Sequence, residues 1–305
     1  MVAFADDTTW IASSKEQLEK TIQIAEEFFM INDIQINLFK LKLIVINIKV
    51  NIDEYKIIID RQEVYVTKEK EAVRFLGIWI GQKLGKKQIV AKAKQVVRLF
   101  ANMIKKKIVS TSQVLYINNV CLMPKLEYIL QSIFLTKDEY EKIQQPYMMT
   151  AKNKIGLART VSNTVMSHSG ILSMRILWNV LKTKQTLSLI NRLNKNCEVK
   201  DITEIRIRQG QQITCCTNSI WAKKLEDIEL KLLKNNLASQ IIQDNLSIGL
   251  EIIANKEDWV AKGNGIPIKS LIKKKTFVKA AKMLCDLDII MLEQILDIEG
   301  LYLIT

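Results

Sequence analysis

Val2-Ala3-Phe4-Ala5-Asp6-Asp7-Thr8-Thr9-Trp10-Ile11 is the stretch on which the fold turns. Two adjacent carboxylates separate a short apolar run, Val2 to Phe4, from a second extended run, Thr8 to Ile11. That pattern predicts a β-hairpin with Asp6 and Asp7 at its tip. Side chains alternate faces along a flat strand, so only one of two neighbouring aspartates would address a given point. A turn brings both toward one site, and hard divalent ions such as Mg²⁺ take oxygen ligands of this kind. Asp-Asp-Thr is also a common turn sequence in its own right, because Asp and Thr side chains bond to nearby backbone groups.

Working outward, Ser13 and Ser14 offer a helix N-cap, with Gln17 placed three residues after Ser14 as in a capping box. Leu18, Ile22, Ala25 and Phe29 then recur at the spacing of an amphipathic helix, which Asn32-Asp33 ends. Ile34 to Asn37 is extended and leads through Lys40 into a strand over 43–50. Asp53-Glu54 predicts a turn that would pair this strand with 56–59. Arg74 to Ile80 reads as one further strand, in which Gly77 permits a bulge or a close backbone approach.

Taken in order, Phe4 to Asp7, residues 14–31, Lys40 with 43–50, and Phe75 to Gly77 resemble the palm of reverse transcriptases from non-LTR (LINE-like) retrotransposons. Leu122-Met123-Pro124-Lys125-Leu126-Glu127-Tyr128 is similar to a thumb-helix signature of the same elements. The resemblance covers roughly the first 180 residues. It implies an RNA-directed DNA polymerase that carries out nucleotidyl transfer with two Mg²⁺ ions. Asp6 would be the main metal ligand of the hairpin and Asp7 its supporting partner. Lys40 would handle the nucleotide triphosphate, and Phe75, Leu76 and Gly77 would grip the primer. The implied partners are an RNA template/DNA primer duplex and deoxynucleotides, with no membrane. The sequence departs from the family around Lys40, where Leu38, Phe39 and Leu41 stand in place of the usual Ser or Thr. The family's first catalytic aspartate and its fingers precede the hairpin, and this sequence starts just before it. The expectation is therefore a partial palm without polymerase activity of its own. The rival readings are a non-catalytic basic helical protein that binds nucleic acid, and a transposon remnant.

Composition points the same way. Across 305 residues the net charge is +13 and the hydrophobic content 48%, which implies a polyanionic partner and enough apolar surface for more than one compact unit. Three prolines and ten glycines favour long helices. Five cysteines form no paired framework, so the expected setting is intracellular, nuclear or cytoplasmic. Cys215-Cys216 lack the spaced partners of a zinc site. No stretch reads as a signal peptide or approaches the roughly 18 apolar residues of a membrane span. His168 is the single histidine and sits in a Ser/Thr/Asn-rich loop, where it reads as a solvated residue.

The expected class is α+β and mostly α: a partial polymerase palm (β-hairpin, helix, antiparallel strands) over 1–82, a helical thumb bundle over 83–155, and an all-α extension over 156–305. Residues 83–107 differ in kind from their surroundings. Lys83, Lys86, Lys87, Lys92, Lys94, Arg98, Lys105, Lys106 and Lys107 are basic, and no acidic residue interrupts them. Ile89, Ala93, Val96, Phe100 and Ile104 fall on one helical face. Charged faces normally mix both signs, so the unmixed series from Lys86 onward predicts contact with nucleic-acid backbone. Helices are expected over 112–135 and 137–155, with Trp178 in the core of a later one. Arg206, Arg208, Gln209 and Gly210 read equally as a nucleic-acid contact or a charged loop, 219–244 as one helix, Lys273 to Leu284 as a second basic helix, and 286–297 as a last helix.

Overall fold

Residues 2–4 and 7–9 form the paired strands of the expected hairpin in the computed structural model. It describes residues 2–4, 7–37, 40–45, 55–59, 62–67, 73–75, 78–80, 86–254 and 266–295. β1 (Val2–Phe4) pairs antiparallel with β2 (Asp7–Thr9), Phe4 standing opposite Asp7. α1 (Lys15–Ile31) follows, and Ser14 caps it by accepting the amide of Gln17. The Gln17 amide oxygen reaches back one residue further than a standard capping box, to the amide of Ser13 at 3.0 Å. Buried Ile22 of α1 joins Leu43, Ile57 and Ile59 in a small core, against which Trp10, Leu18 and Val64 pack.

One strand expectation is corrected, and another falls largely outside the described residues. β3 (Lys56–Ile59) takes β4 (Gln62–Tyr65) as its antiparallel partner. The segment 43–45 contributes only an isolated parallel bridge, Leu43 to Val66, while residues 46–54, including the Asp53-Glu54 turn, lie outside the described residues. Residues 74–80 are not one strand. β5 (Val73–Phe75) and β6 (Ile78–Ile80) pair with each other, Phe75 opposite Ile78, so the chain reverses where a continuous strand was expected.

From here the chain is helical. α2 (Lys86–Lys105) is followed by α3 (Thr111–Tyr116), which opens with a capping box between Ser110 and Gln113. A π-helical turn, Ile117–Leu122, joins α3 to α4 (Met123–Leu130). α5 (Lys137–Lys154) opens with a second capping box, Thr136 with Glu139, and Asp138 and Glu139 lie at the positive end of its dipole. Short α6 (Asn163–Ser167) leads to α7 (Leu177–Asn194) and α8 (Glu198–Ile213). α9 (Asp227–Leu230) and α10 (Leu237–Ser247) occupy the segment expected as one helix. α11 (Ile268–Leu271), α12 (Lys274–Asp286) and a single 3₁₀ turn, Leu292–Ile295, complete the described chain. The architecture is thus predominantly helical with minor antiparallel β-structure.

Compactness divides the chain once, into Met1–Gln95 and Val96–Thr305, so the boundary falls inside α2. Residues 156–305 do not separate from 96–155 because α7 packs on both α4 and α5. Leu122, Met123, Leu126, Leu130, Ile143, Tyr147 and Leu177 are fully buried in this larger unit. Two further clusters continue it. One gathers Leu189, Leu193, Ile207, Ile220 and Ile242, and the other gathers Phe277, Ala281 and Leu284 of α12 with Cys215 and Ile268.

Candidate nucleic-acid interface

α2 buries Ile89, Ala93, Val97, Ala101 and Ile104. This corrects the expected face by one position in two places: Val96 and Phe100 are only half-buried. Small Ala93 and Ala101 sit at the bottom of the face, where large side chains would hold the helix away from its neighbours.

That burial line orients the cations. At 100° per residue, Lys87, Lys94, Arg98 and Lys105 share one flank of α2 within about 40° of arc and run about 27 Å along its axis. Lys87, Arg98 and Lys105 are exposed and Lys94 is half-buried. Lys92 projects from the opposite flank, beside exposed Leu99 and Met103. Lys86 and Lys92 each already interact with another group. Lys106 and Lys107 lie past the helix end, both exposed. The Lys107 carbonyl accepts the Lys154 ammonium at 2.8 Å, which anchors this end of α2 to α5. The Lys125 ammonium lies over the Phe100 ring, 5.9 Å from its centroid.

The remaining site expectations are placed less fully. Asp7 opens β2 opposite Phe4, while Asp6 and the Asp7 side chain lie outside the described residues. Adjacent carboxylates suit Mg²⁺ by donor chemistry. Among the described residues no group of three or more His, Cys, Asp and Glu is placed to hold a metal. Lys40 is exposed in a turn in which its amide donates to the Asn37 carbonyl at 3.1 Å. Leu38, Phe39, Leu76 and Gly77 lie outside the described residues. Phe75 is brought to a hairpin end, not to the middle of a long strand.

Other residues singled out earlier take ordinary structural places. His168 is exposed and accepts the Gly170 amide at Nδ1, 3.1 Å away. Burial pushes the Cys215 thiol up to about 11, so it is neutral near physiological pH. Arg206, Arg208, Gln209 and Gly210 belong to α8 instead of a loop. Trp178 is half-buried rather than central, with the Lys137 and Lys182 ammoniums 5.6 and 4.9 Å from its ring centroid. No helix among the described residues is long and apolar enough to cross a membrane. No protein-family model, curated protein or solved structure matches this chain.

Proposed function

We propose that this chain holds the sugar–phosphate backbone of a nucleic-acid duplex along the basic flank of α2, as the thumb of a LINE-like reverse transcriptase holds template and primer. The observation that carries the reading is the single-sign flank itself: Lys87, Lys94, Arg98 and Lys105 in line, with no acidic residue from 83 to 107. Lysine contacts phosphate as a point charge, which fits a surface that must accept any sequence. In the same reading Asp6 and Asp7 belong to the polymerase's Mg²⁺ site, Lys40 serves the incoming triphosphate, and Phe75, Leu76 and Gly77 grip the primer. Bound Mg²⁺ would stabilise charge on the attacking and leaving oxygens of nucleotidyl transfer.

The test is the salt dependence of binding to a DNA duplex and to an RNA–DNA hybrid. Reversing Lys87, Lys94, Arg98 and Lys105 to Glu should flatten the slope of log K against log salt by about 3.6 units, 0.9 for each of four phosphates on a B-form duplex. An unchanged slope would remove the assignment. The polymerase part is separable from the binding part. It requires Mg²⁺-dependent thermal stabilisation that Asp6→Asn abolishes, whereas a non-catalytic binding protein would show none.

A further inference from the structure

We infer that the outward face of α12 is a second phosphate-binding surface, which holds the backbone of a nucleic acid in addition to α2. α12 commits Phe277, Ala281 and Leu284 to a core shared with Cys215, Ile268, Ile290 and Met291. Lys275, Lys279 and Lys282 fall on the opposite side, within about 60° of arc at 100° per residue. All three are exposed. From Lys269 to Lys282 the sequence carries six lysines and no acidic residue. Two of the six are already paired, Lys269 with Glu229 and Lys274 with Glu226. Lys275, Lys279 and Lys282 pair with no carboxylate among the described residues. Asp286, one turn beyond Lys282, is the single acid of the helix.

The arrangement runs against helix electrostatics. The N-terminus of a helix carries partial positive charge and favours acids, yet Lys273, Lys274 and Lys275 occupy it and the first turn holds no acid. Glu226 offsets Lys274 alone. Cations gathered at the positive end repel one another until an outside anion neutralises them. Lys275 to Lys282 spans about 10 Å, the axial rise of roughly three phosphates along one strand. A lipid surface would call for an apolar face free to insert beside the cations. The apolar face of α12 is consumed by the core, with Met283 and Leu287 alone exposed on its flank, so nucleic acid is the better match. The partner class is the one proposed for α2, and the inference rests on that reading in this respect only.

The test uses the full chain carrying Lys275→Glu, Lys279→Glu and Lys282→Glu together, with a triple Gln version as a milder control and a triple Arg version for rescue. Anisotropy of a labelled DNA duplex is read across a salt series, alongside sedimentation with phosphatidylserine vesicles. The expected result is a slope flattened by about 2.7 units, 0.9 for each of three phosphates, a smaller loss with Gln, and recovery with Arg. A wild-type slope in the triple Glu and Gln chains overturns the inference, even where the α2 variant flattens and the proposal for α2 stands. A flattened slope here with an unaffected α2 variant supports α12 and removes α2. Loss of vesicle binding with duplex binding intact overturns the inference in favour of a lipid surface.

Discussion

At Gly210, in the middle of α8, the missing side chain is a packing requirement. A Cβ there would come within 2.0 Å of Ser239 Oγ and 2.8 Å of Ser239 Cβ on α10. Glycine in a helix interior loses about 1 kcal/mol against alanine, so an exposed Gly210→Ala change would be stabilising. Here the contact outweighs the propensity. The expected outcome is a loss of about 1–3 kcal/mol from overpacking, read as a lower urea midpoint. Ser239→Gly in the same chain should recover part of it, because the two positions couple directly. A midpoint that stays level or rises in the single variant would show that α8 and α10 can part freely. Ser239 is fully buried and its hydroxyl has no hydrogen-bond partner among the described residues, so its small size matters more here than its polarity.

Helices in the larger unit are joined by buried glutamines rather than by continuous secondary structure. Gln144 of α5 accepts the Leu177 amide at 2.9 Å and donates to the Arg175 carbonyl at 3.1 Å. It thereby caps α7, whose own cap residue, Ile176, offers no side-chain acceptor. Gln185 of α7 donates to the Ile133 carbonyl at 2.9 Å, beyond the end of α4. Gln243 of α10 accepts the Leu225 amide at 2.8 Å and donates to the Ile220 and Lys223 carbonyls at 3.0 Å each. Gln211 of α8 donates to the carbonyls of Cys216 and Asn218. Each supplies partners to irregular backbone that would otherwise be buried unpaired. Gln243→Leu keeps the volume and removes three such bonds. With each orphaned group costing about 1–3 kcal/mol, the expected loss is at least about 3 kcal/mol by urea titration. Gln145→Leu, at an exposed position of α5, should stay within about 0.5 kcal/mol. Equal effects at the two sites would refute the strut role.

The two units differ in how much structure each can protect. Residues before α2 form three separate two-stranded sheets among the described residues, none with a strand longer than four residues. Two-stranded hairpins are marginal without a partner face, and the cluster that Ile22 of α1 forms with them has four buried members among the described residues. The larger unit buries whole helix faces, with Leu126, Leu130, Ile143 and Tyr147 at zero exposure. Native-state hydrogen exchange should therefore be slowest in α4 and α5 and markedly faster in the β1–β2 and β3–β4 hairpins. Hairpin amides that outlast those of α5 would contradict this ordering. The net charge of +13 acts at this scale too. It draws any polyanion toward the chain, so the salt slopes of the α2 and α12 variants, rather than bare affinities, separate local contacts from the general field.

Local rules were enough for much of the chain. The antiparallel pairing of β1 with β2, the Ser14 start of α1 and the helical run of the basic segment were legible, because strand pairing across a short connection, capping and the 3.6-residue period act within a turn or two of backbone. Where partners come from far along the chain, the tertiary structure decided. Residues 74–80 hold enough β-forming side chains for one strand, but β5 found its partner in β6. Arg206 to Gly210 look like a loop until burial of Ile207 and the contact with Ser239 hold them in α8. Pro146 removes a helical hydrogen bond, yet α5 runs through it, flanked by buried Ile143, Tyr147 and Ala151. Glutamines in an amphipathic pattern read as surface, and only the crossing of distant segments turned four of them into struts. The candidate interface divides the same way. Its cations and their single sign were plain in the sequence, but which of them share a flank followed from the buried line Ile89, Ala93, Val97, Ala101 and Ile104. Helical spacing marks Ile89, Ala93 and Ile104 of that line, and what packs against the helix decided for Val97 and Ala101 over Val96 and Phe100.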